Sequence, residues 1–410
     1  MTVERVAGTT RPDDFAPPPT ARDRARWTAA DRSARPLRIA RLRERLAHAG
    51  LDAYFGTRPE HTRYLSGMVL GDGEERVAGS SGWFLVGAGE VVVMADSRYR
   101  VQAEREAPEA RIAPVYNDLD QRWPEVLASL GARRVAFEAD RVSHATWIKL
   151  AEATPDVELV PVEGWLEADR ATKEPAEMDR VAAACAVADL ALAALLPEIR
   201  VGVTERELAL RLEWLMRTGG ADGLAFDVAC LAGPEAALPH GSPGDRPVRA
   251  GTVLLFDFGA QVDGYRSDMT RTLFIGEPTT RDRAIYELVA AAQAAAIEGV
   301  AGAVRTGRPL PSGRAVDALA RDVIVAAGHG DRFGHGTGHG IGLATHELPR
   351  LGHTASDLPL PSPTVFSVEP GIYLDGEMGV RIEDLVAVDL AAGRCDRLTA
   401  FPREIVVIDA

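Results

Sequence analysis

Between residues 334 and 342 glycine occupies every even position, in the run Gly334-His335-Gly336-Thr337-Gly338-His339-Gly340-Ile341-Gly342. Five glycines in nine residues exclude a helix, because each costs about 1 kcal/mol relative to alanine. An extended chain puts alternate side chains on opposite faces, so one face is bare and the other presents His335, Thr337, His339 and Ile341. A helical HxxxH could clamp one zinc ion, but Gly336 stands where the HExxH pattern needs Glu. Extended, His335 and His339 lie roughly 13 Å apart and cannot both serve one ion. One is therefore expected at a metal and the other at substrate. A lone histidine is more simply a satisfied core or surface group. Here five of the nine histidines fall between residues 329 and 353, which weighs against that reading, with His329 and His353 read as bystanders.

A second segment, Val253-Leu254-Leu255-Phe256-Asp257-Phe258 through Asp268-Met269-Thr270-Arg271-Thr272-Leu273, predicts two strands joined by a turn at Asp263-Gly264. Pairing about that turn sets Asp257 opposite or diagonal to Asp268, with Cβ atoms roughly 5 to 8 Å apart. A single Asp could simply face solvent. A second carboxylate beside it, within so apolar a flank, would be costly unless a cation lay between them. Two further strands are each interrupted by a carboxylate: Glu369 after Phe366-Ser367-Val368, and Glu383 within Val380-Arg381-Ile382-Glu383-Asp384-Leu385. Alternation puts Arg381 on the face of Glu383 and sends Asp384 to the other. Asp257, Asp268, Glu369 and Glu383 carry four negative charges, which two divalent cations would balance. Oxygen-rich ligation with one imidazole suits Mn²⁺ best, with Co²⁺, Fe²⁺ and Zn²⁺ as alternatives. Such a pair performs metal-assisted hydrolysis.

Composition narrows the partners. A formal net charge of −14 over 410 residues, without a Lys/Arg stripe, argues against nucleic-acid binding. Cys185, Cys230 and Cys395 are far apart and lack CxxC spacing, so neither a disulfide framework nor a thiolate zinc site is expected, and a cytoplasmic location fits. No membrane role is expected: the apolar run Val181 to Leu196 is broken by Asp189 and ends at Pro197, and no secretory h-region opens the chain.

Residues 1–35, with Pro17-Pro18-Pro19 and scattered charges, read as a flexible tail. From Leu37 a helical pattern runs to Gly50. Strand-like runs then alternate with helical stretches to residue 169, predicting an α/β domain over 36–169. A polar joint over 170–176 leads to a domain over 177–410. There, two helices (Ala176 to Leu196, and Thr204 to Arg217 with a Thr204/Glu207 cap) precede strands, and the order repeats with helices at Arg281 to Val304 and Arg314 to Ala327.

These segments resemble the pita-bread-fold metallopeptidases, in the aminopeptidase P and prolidase branch. The resemblance covers residues 37 to 410 and rests on Asp257-Phe-Gly with Tyr265-Arg-Ser-Asp268-Met-Thr-Arg-Thr, His335-Gly-Thr-Gly-His339-Gly-Ile-Gly through His346-Glu347, Val368-Glu369-Pro-Gly-Ile-Tyr, and Val380-Arg-Ile-Glu383-Asp. It implies an α/β N-terminal domain followed by an α+β pita-bread (creatinase/aminopeptidase) catalytic domain, and a homodimer. It implies Asp257, Asp268, His339, Glu369 and Glu383 as ligands of two metal ions, with Asp268 and Glu383 bridging. His240 corresponds to the family's histidine beside the scissile peptide. His346 would orient the carbonyl and stabilise the tetrahedral intermediate, His335 would line the proline pocket, and Arg381 would contact substrate or hold Glu383. Thr270 would orient a ligand, and Glu369 would carry the proton from the attacking water to the leaving imino nitrogen.

The implied activity is an Xaa-Pro aminopeptidase, in which a hydroxide bridging two metals removes the residue before proline from a peptide. The alternatives are an Xaa-Pro dipeptidase, which needs cations placed for a free proline carboxylate, and a hydrolase or lyase of the same fold acting on a small non-peptide substrate. A binding module that keeps the fold without chemistry would be a third, and the intact ligand set argues against it.

Overall fold

A computed structural model describes residues 14–71 and 79–409. The chain divides into two compact units: residues 25–169 form one, and residues 170–409 with 14–24 form the other.

The expected tail is shorter than the sequence suggests. Residues 1–13 lie outside the described ones, but a helix already runs over Ala21–Ala49 and passes through Pro36. Thr20 and Asp23 exchange hydrogen bonds at its start, the Thr20 amide reaching Asp23 Oδ2 at 3.0 Å and the Asp23 amide reaching Thr20 Oγ1 at 3.3 Å. Its buried positions are Trp27, Arg35, Arg38, Leu42 and Leu46. Two arginines occupy the inward stripe and disguise its period, Arg38 donating from Nη1 to Tyr64 O at 3.0 Å.

The first unit carries a six-stranded mixed sheet, ordered Arg111–Pro114, Val91–Ala95, Phe84–Gly87, Ala53–Gly56, Arg134–Glu138 and Glu158–Val162. The last three run parallel, as connections through helices require. Phe55 and Trp123 meet edge to face at 4.9 Å in its core. The short strands Ala53–Gly56 and Arg111–Pro114 and the helices Pro59–Ser66 and Arg100–Glu106 have no counterpart in the sequence reading, being too brief for a period to show.

In the second unit the helix–helix–sheet order occurs twice. Pro175–Leu195 and Glu205–Thr218 precede a sheet ordered Val407–Ile408, Met269–Ile275, Thr252–Phe258, Ala229–Ala232. Thr280–Arg305 and Gly313–Ala326 precede a sheet ordered Glu347–Leu351, Gly338–Gly340, Thr364–Val368, Asp384–Asp389, Arg394–Arg397. The Thr204/Glu207 capping box forms as read. One buried cluster joins Ile285, Val289, Val300 and Ile324 of the second helix pair to Leu255, Phe366, Val380 and Val386 of the strands. The Pro175–Glu198 run and the Thr280–Arg305 helix are, against expectation, long and apolar enough to cross a membrane by length and composition. In the first of them 67% of that stretch is buried within the protein.

The 170–176 joint is packed, not solvated. The helix Trp165–Ala171 runs into it, and Arg170 and Lys173 are both buried, each bonded to the carboxylate of Glu347. Neutralisation by that carboxylate lets a charged stretch lie inside.

Candidate metal centre

The hairpin positions the first two carboxylates. Thr252–Phe258 pairs antiparallel with Met269–Ile275 so that Asp257 lies opposite Thr270, which makes Asp268 its diagonal neighbour. Between them Asp263 and Gly264 both adopt positive φ, 44° and 73°, as a two-residue turn matched to strand twist demands. Gly259 is required where the strand changes sheet, since a Cβ there would lie 2.0 Å from Ser267 O.

The glycine run supplies the histidines. Only Gly338–Gly340 is strand, squeezed between Glu347–Leu351 and Thr364–Val368. A Cβ on Gly338 would sit 2.0 Å from Ser367 O, so the neighbouring backbone fills the bare face. His339 thereby projects toward the carboxylates. Its Nε2 lies 3.6 Å from Asp268 Oδ2 and 3.3 Å from Glu369 Oε1.

Asp268, His339 and Glu383 offer ligand atoms all within 4.8 Å of one another. Asp257 and Glu369 stand outside that tight group but line the same cleft, a space of about 360 Å³ that also exposes His240, His335, His346, Arg381, Phe226 and Pro239. Every site residue expected from the sequence is thus brought together, whereas His329 and His353 are not among the lining residues.

Electrostatics show what this cluster lacks. Burial, followed by the neighbouring carboxylates, pushes Asp268 and Glu383 well above the usual carboxylate range. Burial also raises Asp257, against the pull of Arg381. Burial acts likewise on Glu369, but the hydrogen bond and charge of His339 outweigh it and hold the group at about 2, while Glu369 in turn overcomes burial to lift His339 to about 9. Among the described residues Glu383 Oε1 is buried without a hydrogen-bond partner, a cost of several kcal/mol if it stayed so while ionised. Hard oxygen donors, one imidazole and an orphaned carboxylate oxygen fit a divalent cation.

Thr270 stands beside one of the expected ligands: its hydroxyl donates to Glu383 Oε2 at 2.8 Å and accepts from Arg381 Nε at 2.8 Å. Of the two roles expected of Arg381, substrate contact or a hold on Glu383, the hold runs through Thr270 among the described residues. The Arg381 guanidinium is committed to Thr270, to Asp257 Oδ2, to Tyr373 OH at 2.9 Å and to Pro239 O at 3.4 Å. Thr270, Asp257 and Tyr373 lie on neighbouring strands, and the hydrogen-bonded path from Arg381 to Glu383 runs through the threonine.

Tyr373 is the group the sequence reading passed over, although it closes the Glu369-Pro-Gly-Ile-Tyr motif. His335 Nδ1 faces Gly336 O at 2.8 Å, which can only accept, so Nε2 accepts from Tyr373 OH at 2.8 Å. Arg381, Tyr373 and His335 form one relay. Burial lowers the pKa of His335 and of His346, keeping both neutral. The His346 ring lies 4.3 Å from that of His339.

Residues 179–389 match the metallopeptidase family M24, and residues 38–172 match the creatinase/prolidase N-terminal domain. The chain belongs to family M24. Among M24 relatives, the uncharacterized peptidase YqhT of Bacillus subtilis is 32% identical over 91% of this chain and 100% of its own. The solved structure of an Xaa-Pro dipeptidase from Bacillus anthracis is 33% identical, with a TM-score of 0.82 over 90% of this chain and 99% of that one. An X-Pro aminopeptidase from Thermotoga maritima is 32% identical, with a TM-score of 0.79 over the same shares. The fold is accordingly the creatinase-type N-terminal domain followed by the pita-bread catalytic domain of M24 enzymes, and the chain is a metallopeptidase.

Proposed function

We propose that the chain is a divalent-metal-dependent Xaa-Pro peptidase, with dipeptides as the favoured substrates. The observation that carries the reading is the group of Asp268, His339 and Glu383 with an unpaired buried oxygen, inside an M24 cleft. Asp257, Asp268, His339, Glu369 and Glu383 would hold two cations, Mn²⁺ first among them. When bound, such cations act as Lewis acids on a carbonyl oxygen and make water acidic near neutral pH.

The chain's own groups do the rest. Ser367 Oγ donates to Glu369 Oε1 at 3.1 Å and fixes that carboxylate, leaving Oε2 to accept a proton from water and pass it to the departing imino nitrogen. Neutral His346 is a hydrogen-bond donor for the oxygen that gains charge when the carbonyl is attacked, and His240 lines the same cleft. A bond to proline has no amide hydrogen, so its recognition rests on shape. Phe226 and Pro239 give an apolar wall for the ring, and His335, braced by Tyr373, bounds the pocket.

The order of the two peptidase readings is reversed from the sequence expectation by arginines. Arg266 is engaged with Ala225 O and with Thr345 Oγ1 at 3.2 Å. Arg350 is exposed and is the cross-strand partner of His339, so its side chain shares the face of that ligand, and its charge helps depress His346. A cation there suits the free carboxylate of a dipeptide. The names of the Bacillus anthracis relative and of the Xaa-Pro dipeptidase of Pyrococcus furiosus support the same order. A cytoplasmic homodimer belongs to this reading.

An anaerobic Mn²⁺ titration coupled to hydrolysis of Gly-Pro and of longer Xaa-Pro peptides tests it. Cleavage of Gly-Pro well above the longer peptides is expected. Equal or better cleavage of the longer peptides would return the aminopeptidase, and inactivity on all of them at full metal loading would point to a non-peptide substrate.

A further inference from the structure

Asp384, next to Glu383, has no part in the chemistry above, yet its carboxylate is fully buried on the opposite face of the strand. Oδ1 accepts from Arg271 Nη2 at 2.7 Å and from Thr399 Oγ1 at 2.5 Å, and Oδ2 accepts from Gln293 Nε2 at 3.1 Å. The guanidiniums of Arg397 and Arg403 stand 3.6 and 3.8 Å from Oδ2.

Arg271 is itself 1% exposed. A guanidinium has five N–H bonds, and here each finds an acceptor. Nε donates to Pro402 O at 2.9 Å, Nη1 to Thr270 O at 2.9 Å and to Glu383 O, and Nη2 to Asp384 Oδ1 and to Phe401 O at 2.7 Å. Gln293 Nε2 reaches Val368 O and Ile382 O, both at 3.2 Å. The carbonyls of residues 270, 368, 382 and 383 therefore converge on two side chains. Each belongs to Glu383 or lies within two residues of Asp268, Glu369 or Glu383.

Carboxylates crowded at one site repel, and strand ends free to relax would separate them. Tying their backbones to a common buried anchor removes that freedom. We propose that Arg271, Asp384 and Gln293 form a positioning hub that holds Asp268, Glu369 and Glu383 in cation-binding arrangement before the cation arrives. These residues touch neither substrate nor cation, and the proposal rests on the metal reading above.

The test uses the full-length, metal-free chain titrated anaerobically with Mn²⁺ alone by calorimetry, with circular dichroism and thermal unfolding in parallel. Asp384→Asn keeps the shape and removes the charge. Mn²⁺ affinity should fall roughly tenfold to a hundredfold, the range typical of groups that orient metal ligands, while the metal-free spectrum stays that of the parent. Gln293→Met leaves the Arg271–Asp384 pair intact and should weaken Mn²⁺ in the same direction by less. If Asp384→Asn does not fold, Gln293→Met decides. A folded variant binding Mn²⁺ with parental affinity would overturn the hub, since a purely structural ion pair would change unfolding alone. A parent chain that takes up no Mn²⁺ would overturn the metal reading and the hub with it.

Discussion

Glu383 and Asp384 follow one another at the start of a strand and are equally buried, but their surroundings are opposite. Asp384 meets a guanidinium, a hydroxyl and an amide, whereas Glu383 keeps one oxygen without a hydrogen-bond partner among the described residues, and burial pushes its pKa up. Glu347 resembles Asp384: two cations, Arg170 and Lys173, close on one carboxylate and hold its pKa low despite burial. A buried carboxylate matched by the chain's own cations is architecture, and one left short is a place for something supplied from outside. Asp189 stands between these cases, since the amides of Ala400 and Phe401 donate to it at 2.8 and 2.9 Å but burial still raises it to about 6.

That contrast can be broken by substitution. The largest effect is expected for Glu383→Gln, which would remove one of the proposed cation ligands: kcat/KM on Gly-Pro should drop by about a thousandfold or more, with unfolding of the metal-free protein little changed or slightly delayed, because a repelling charge is gone. A large loss of metal-free stability would contradict the assignment. Glu347→Gln should act the other way, destabilising the fold by about 3 to 5 kcal/mol in urea unfolding because Arg170 and Lys173 are left buried and uncompensated. Arg350→Ala should raise KM for Gly-Pro about tenfold and leave longer Xaa-Pro peptides unchanged, as loss of one charge-assisted contact implies; equal effects on both substrates would remove the dipeptide argument.

The smallest effect sharpens the middle case. Asp189 titrates near 6 in the folded chain and near 4 unfolded, so the folded state binds more protons between those values. Its contribution is present below pH 4 and is lost as pH rises through about 6. Asp189→Asn should flatten that part of the stability profile, read by thermal melts at stepped pH.

Much of the site is legible in the chain because its signals are local. Asp257 and Asp268 flank one turn, and the alternating glycines around His335 and His339 exclude a helix. The long helices show as well, since Thr204 with Glu207 makes a cap and the stretch from Arg281 to Val304 has a helical pattern. What hides is whatever depends on distant partners. Arg35 and Arg38 look like surface residues until Tyr64 and its neighbours are in place, so the first half of the first helix, up to residue 35, reads as tail. Arg170 and Lys173 look like a solvated joint because Glu347 is more than 170 positions away. Tyr373 and Arg271 are invisible for the same reason: hydrogen-bonding roles are assigned by the fold, and neither residue type announces them.

The five proposed ligands extend from residue 257 to residue 383, on five separate segments of backbone. No stretch emerging from the ribosome can therefore gather them until residue 383 has been synthesised and the loops between them have closed. Loading with an ion would then be among the final events of maturation, and a polypeptide stopped short of position 383 would be left with unquenched acids and nothing to quench them.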